Sequence, residues 1–446
     1  MTTSPAPSSS AGQPAAQGQR RSARPGEPTG PGVEFSGGLW RLRSLEPSRQ
    51  VLRSRHKTTQ AGFTAEYIPQ GRLEHRPILI ADGPQHDAQR SEVARFFAPA
   101  VVRQRYGDDI AACADRLLDG LSGAGGFALD DLALWFTVEV TAGIVGLTHP
   151  PRRRPWTRAN DPEAAQRAHD RRVRAMSRRL VAFFDQPPFD LSRKDLGRSS
   201  RQWMQAARKG LAPIITYHLA DVRPAIRERR RRPTDDLIGQ LVTKGWSTPD
   251  ILIEAITYGT AGMVTTREFI VMAAWHLLTN PLLAARYTAA GDEERLAILQ
   301  EVIRLEPVVG HLYRRVHEEV VITDRDVEHH LAPGDLVDID VRCANADLDT
   351  VPGGGASEGD VDGPGDEPPL SLCPMRRLPA GVRPTVLTFG DGAHKCPGEP
   401  LALLEADVLL TRLLARGGQL VCEPDLGWDD LVSGYELRGM RVVLDA

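Results

Sequence analysis

One segment of the 446-residue chain concentrates residue types capable of chemistry: Phe389-Gly390-Asp391-Gly392-Ala393-His394-Lys395-Cys396-Pro397-Gly398, followed by the helix-like Leu401-Ala402-Leu403-Leu404-Glu405-Ala406. Its glycines allow a tight loop and let backbone approach a flat ligand closely. A cysteine on that loop, just ahead of a helix N-terminus, meets the partial positive charge that favours thiolate. Thiolate is the form that binds iron and pushes electron density toward what the iron carries. A lone cysteine beside a glycine turn is more often an inert buried residue. A further reading pairs Cys396 with His394 as nucleophile and base in a hydrolase, but loop residues two apart rarely present such groups to one another.

Three other groupings need defined elements to act. Glu301-Val302-Ile303-Arg304 sets an acid and a base one helical turn apart, close enough to pair, although such pairs commonly decorate surfaces. In Ala261-Gly262-Met263-Val264-Thr265-Thr266, Ala261 and Thr265 share a helix face, and Gly262 thins the helix beside a ligand. His86-Asp87-Ala88-Gln89-Arg90 puts two basic side chains on one helical face. The second grouping lies on the longest apolar helix candidate, Asp250 to about Leu278. Ser247 or Thr248 caps it, Pro249 suits its first turn, and Asp250 faces the positive end of its dipole. At 1.5 Å per residue it runs roughly 43 Å, the length of a membrane span. Glu254, Arg267, Glu268 and His276 interrupt it, which makes it a buried central helix instead. Helical patterns dominate, with strand-like runs at Leu39–Leu42, Val320–Thr323, Leu336–Val341 and Met440–Leu444.

Together these residues resemble the cytochrome P-450 family. The loop matches Phe-Gly-x-Gly-x-His/Arg-x-Cys-x-Gly at every fixed position, a coincidence of about 10⁻⁸ per window at average residue frequencies. Glu301/Arg304, Ala261–Thr266 and His86/Arg90 fall in the family's order. The resemblance covers roughly residues 38–446 and implies a mainly α fold with small β-sheets, one domain enclosing haem b. Cys396 is then the axial iron ligand, and Thr265 the distal alcohol, with Ala261 and Gly262 beside it. His86, Arg90, Arg315 and His394 hold the propionates, Arg314 being a close alternative to Arg315. Phe389 opens the loop, Glu301 and Arg304 fix it from below, and Arg376 or Arg377 anchors the segment leading to it. The resemblance is to the bacterial soluble type. It implies a cytoplasmic haem-thiolate monooxygenase fed by ferredoxin and ferredoxin reductase, hydroxylating or oxidatively coupling a specialised metabolite. Lys395 would lie on the face that an acidic ferredoxin approaches.

Two residues depart from the family pattern. Val264 stands where the family usually carries Asp or Glu, and valine can neither donate a proton nor order a proton-carrying water. That favours three alternatives to plain hydroxylation with the usual relay: another proton source, a peroxide-dependent oxidase, or a haem-binding homologue without turnover. Pro397 has no N–H to offer the cysteine sulfur, which leaves a thiolate more electron-donating.

Composition bounds the rest. With 55 Lys+Arg against 58 Asp+Glu and 41% hydrophobic residues, the chain has an ordinary globular balance, not that of a protein coating nucleic acid or an anionic membrane. Five scattered cysteines make neither a disulfide scaffold nor a zinc site. Residues 1–37 read as a disordered Pro/Gly/Ser-rich tail without a signal peptide's apolar core or a membrane anchor, and the first helix and strand of the fold have little room before Trp40. Residues 352–369 read as a flexible acidic loop. Residues 152–232 carry 22 Arg+Lys against 8 Asp+Glu, either solvated helix faces or a docking surface for an acidic carrier protein presenting a tethered substrate.

Overall fold

The computed structural model describes residues 19–23, 29–62, 74–121, 123, 125–147, 162–184, 199–349, 351, 369–429 and 433–445. Helices form most of it, and their apolar faces enclose one large core; a smaller core lies under a five-stranded sheet. The sheet order is Val33–Ser36, Leu39–Leu42, Leu336–Asp340, His311–Val316, Thr58–Gln60. The Leu39–Leu42 and Leu336–Asp340 strands run parallel, and the other pairs are antiparallel. A three-stranded sheet and two hairpins complete the β structure.

The central helix spans Thr248–Thr279. Ser247 is its cap, accepting from Asp250 N at 3.3 Å. Asn280 ends it and at once caps the next helix, accepting from Leu283 N at 3.1 Å. Three of the charges that break its apolar run, Arg267, Glu268 and His276, are paired in place. Arg267 bonds Glu268, whose carboxylate also takes Leu437 N and Arg438, and His276 Nε2 meets Glu306 Oε1 at 3.1 Å. Burial of these groups is tolerated because each has a partner. No single helix among the described residues is long and apolar enough to cross a membrane.

The helix Leu129–Val145 lies along the central helix, with Thr137 Oγ1 donating to Met263 O at 2.9 Å. A Cβ on Gly262 would meet Thr141 Cγ2 at 3.4 Å, an ordinary contact, so the missing side chain faces the neighbouring helix.

The stretch read as a tail through residue 37 holds ordered pieces where it is described. Val33–Ser36 pairs with Leu39–Leu42, and the helix Leu45–Arg53 and strand Thr58–Gln60 follow, so the edge expected to be short is built. Farther back, Ser22 is buried and its N–H and hydroxyl both bond Glu306, while Arg342 donates to the Ser22 hydroxyl at 2.8 Å and to its carbonyl. Arg20 Nε donates to Leu305 O at 2.6 Å. Composition hid this because the strap is held by charge and hydrogen bonds, not by apolar area. Residues 1–18, 24–28 and 352–368 lie outside the described residues. Ser22→Ala removes the hydroxyl bridging a buried guanidinium and a buried carboxylate; it is expected to lower the free energy of unfolding by about 1–3 kcal/mol, read from the urea midpoint at constant m.

Candidate functional site

The cysteine loop is shaped by two left-handed glycines, Gly390 at φ +69° and Gly392 at φ +66°. A Cβ on Gly392 would stand 2.2 Å from Leu52 O, so only glycine lets the loop press against the Leu45–Arg53 helix. Cys396 N donates to Phe389 O at 2.8 Å, closing the loop, and the Phe389 ring packs on the helical core. The helix Glu399–Ala415 begins three residues after the cysteine.

Cys396 has protein around it on every side, yet its side chain presents surface to a cavity of about 540 Å³. Arg90, Phe97, Pro397, Leu403 and Leu404 are among the residues that line this cavity. Burial pushes its thiol up, opposed by the Gly398 N–H and the Arg90 charge and, more weakly, by the Glu399 N–H. The helix N-terminus alone therefore does not deliver the thiolate expected from sequence. A buried thiol becomes an anion here only against a stronger positive charge such as a metal ion. The N–H that Pro397 lacks is replaced by those of the next two residues.

Above the loop, basic groups converge. His86 is buried, its ring 4.2 Å from that of His394, and its Nε2 has no partner among the described residues. Burial, then the neighbouring His394, holds His86 below the usual imidazole range. His394 Nε2 meets Asp82 Oδ1 at 2.9 Å. Arg90 donates to Lys395 O. Arg314 is buried among them, bonded to Gln60 Oε1; burial lowers it to about 10, with Asp82 opposing. Arg315 lies on the opposite strand face, its Nη1 on Gly334 O at 3.1 Å. Arg315 is thus corrected to Arg314 as the strand's contribution: side chains alternate along His311–Val316, and the 314 position points inward. Lys395 is paired with Glu399 at 2.7 Å.

Glu301 and Arg304 come together as expected, with bonds of 2.6 and 2.8 Å, and Arg304 is fully buried. Arg304 also donates to Asn345 O and Pro369 O, and Asn345 Oδ1 accepts from Leu387 N just before the loop. Arg376, not Arg377, completes the cluster, its Nε 3.1 Å from Glu301 Oε1. On the central helix, Ala261 and Thr265 keep open surface between buried Met263, Val264 and Thr266. The carbonyls of Ala261, Gly262 and Met263 accept hydroxyls from Thr265, Thr266 and Thr137 in turn. The sequence reading missed Asp82 and Gln60, which have no motif signal, and undervalued Arg314, which strand alternation could have identified.

These residues fit haem b. A thiol facing a cavity, four basic groups around an orphaned buried imidazole nitrogen, and an open stretch of helix answer to iron, propionates and ring in turn.

No family model matches the chain. A curated relative, erythromycin C-12 hydroxylase of Saccharopolyspora erythraea, is 29% identical over 49% of this chain and 51% of its own length. The chain thus spans about half of that relative. The putative cytochrome P-450 YjiB of Bacillus subtilis is 26% identical over 82% of this chain and 79% of that protein. Among solved structures, CYP164A2 of Mycobacterium smegmatis matches with TM-score 0.64 and 26% identity, covering 92% of this chain and 91% of that one. A crystal structure of P-450 BioI in complex with a fatty-acid-ligated acyl carrier protein matches with TM-score 0.64 and 18% identity, covering 91% and 92%. Arg304→Met leaves Glu301 buried against one remaining cation, so stability is expected to fall by roughly 3–5 kcal/mol by denaturant unfolding. The same change at exposed Arg377 is expected to shift it by less than about 0.5 kcal/mol.

Proposed function

Because this chain belongs to the cytochrome P-450 family, with haem b as its cofactor, we propose that it is a monooxygenase that inserts one atom of dioxygen into a specialised metabolite. Electrons come from a ferredoxin and its reductase. When bound, haem b supplies dioxygen binding and its reductive cleavage. The observation that carries the reading is the basic cluster beside the cysteine loop: Arg90 lines the Cys396 cavity and bonds Lys395 O, the His86 and His394 rings lie 4.2 Å apart, and Arg314 and His394 share Asp82. Cys396 ligates iron, with its sulfur moderated by the Gly398 and Glu399 N–H groups. Arg90, Arg314, His86 and His394 hold the two carboxylates and so fix the ring's rotation. Ala261 and Thr265 border the distal space. Thr265 Oγ1 donates to Ala261 O at 2.5 Å and keeps its lone pairs as acceptors toward a water.

Val264 favours a second reading, a peroxide-driven oxidase, since its side chain carries no proton. The two readings part on isotopes. With NAD(P)H, ferredoxin, reductase and ¹⁸O₂, the first expects one labelled oxygen in the product; the second expects product from peroxide alone and none from the reductase chain.

For the partner, the basic helices Pro162–Val181, Ser200–Tyr217 and Arg223–Arg231 support an acidic carrier protein as the donor of a tethered substrate, and the carrier complex of P-450 BioI is consistent with it. Arg229 is not part of that surface: it is buried on Asp236 at 2.9 Å. Arg227, Arg230 and Arg231 are exposed. Reversing those three charges is expected to raise KM for carrier-bound substrate and not for the free acid, an effect that shrinks in high salt. For the cofactor, Arg314→Leu is expected to lose haem on gel filtration, whereas Arg315→Leu retains it.

A further inference from the structure

Glu254 lies in the first half of the central helix, 3% exposed, with only one oxygen satisfied. Oε1 accepts from Ile78 N at 2.9 Å, and Oε2 has no partner among the described residues. The same condition holds one turn to either side. Asp250, 1% exposed, meets His75 Nδ1 at 3.3 Å through Oδ2, while its Oδ1 has no partner among the described residues; the buried Tyr258 hydroxyl has none among them either. Three consecutive turns thus each aim an unsatisfied polar atom into the interior. Buried polar groups are rarely left so, and ordered water is the usual partner.

The three residues form a line that leads to the site. At 100° per residue, Asp250, Glu254, Tyr258 and Thr265 fall within about 80° of the helix circumference, with roughly 6 Å of axial rise between the first two pairs and about 10 Å from Tyr258 to Thr265. At the outer end, His75 is 30% exposed and stacks on Trp246 at 4.0 Å. At the inner end, Tyr258 stacks on Phe97, which lines the Cys396 cavity, and lies within electrostatic reach of Arg90 and Cys396.

We propose that this stripe is a proton path, in which Glu254 carries protons through bridging water from His75 at the surface toward the distal space beside Thr265. The proposal rests on the monooxygenase reading above and provides the acid that Val264 cannot. Each turnover that inserts one oxygen atom and releases the other as water takes up two electrons, from ferredoxin, and two protons, from solvent. Glu254 gives its carboxyl proton to water on the Tyr258 side and is reprotonated from the Asp250–His75 side, so it is unchanged after each transfer. Burial, opposed by the Ile78 N–H and aided by Asp250, pushes its carboxyl up to about 8, which keeps it a donor at neutral pH. The charged and titratable groups around it are Asp250 and Tyr258 on its own helix, Glu74 and His75 from the segment before the Gly83–Phe97 helix, and Arg90 on that helix beyond Tyr258.

The test uses haem-loaded full-length protein and the conservative variants Glu254→Gln and Tyr258→Phe. In the wild type, the infrared spectrum at pH 7 is expected to hold a protonated-carboxyl band that is lost on titration through about pH 8 and is absent from E254Q. Coupled turnover in the wild type is expected to fall as pH rises through the same range, because Glu254 then loses its proton. In E254Q that alkaline limb disappears, the solvent isotope effect increases, and coupled product formation drops up to about 100-fold in favour of peroxide release. Y258F is expected to show the same uncoupling and carries the test if E254Q does not fold. If wild type and variants retain a thiolate-type ferrous–CO spectrum but share one pH profile and isotope effect, the path is overturned while the monooxygenase reading stands. Loss of that spectrum in the wild type overturns the reading itself.

Discussion

Burying a sulfur that must act as an anion is the constraint around which this chain is arranged. Cys396 sits in protein that raises its thiol, and two backbone N–H groups with one guanidinium bring it only part of the way back. The remaining charge balance has to come from iron. A site of this kind is costly to hold open, and the structure spends its strongest ion pairs on doing so. Glu301, Arg304 and Arg376 form a buried cluster, and Asn345 connects it to the backbone that enters the cysteine loop. Buried pairs of this sort add little net stability over an apolar core; their value here is that the loop has one position.

The opposite wall answers a different demand. The central helix must be long and apolar enough to be buried, and yet leave room where it passes the site. At Ala261–Met263 three successive carbonyls also take hydroxyl hydrogen bonds, from Thr265, Thr266 and Thr137, while the helix runs on unbroken. Upstream of that point the same helix carries Asp250, Glu254 and Tyr258 inward, each with an unsatisfied atom. A helix built only for packing would not keep three such groups on one face, since each lost hydrogen bond costs about 1–3 kcal/mol. The polar stripe is therefore better understood as part of the site than as part of the core.

How far the sequence anticipates this varies by interaction type. The cysteine loop, the Glu301/Arg304 pair and the central helix with its Ser247 cap are legible because each depends on residues close in sequence: glycines at φ > 0, an i, i+3 pair, a cap followed by an apolar run. Arg314 is less legible, since its choice over Arg315 depends on which face of a strand meets Asp82. The Ser22 strap is not legible at all: it crosses about 280 residues to reach Glu306, through a segment whose composition looks like disorder. Gly262 has a neighbour that no motif reveals: its missing side chain faces Thr141 on the adjoining helix.

The central claim is that the Cys396 sulfur binds the haem iron, and the carbon-monoxide complex of the reduced protein tests it most directly. Purified holoprotein, reduced and exposed to carbon monoxide, is expected to give the red-shifted Soret band of a thiolate-ligated haem, and Cys396→Ser is expected to abolish it. A colourless protein that takes up no hemin, or a Cys396→Ser variant with the same band, would contradict the account.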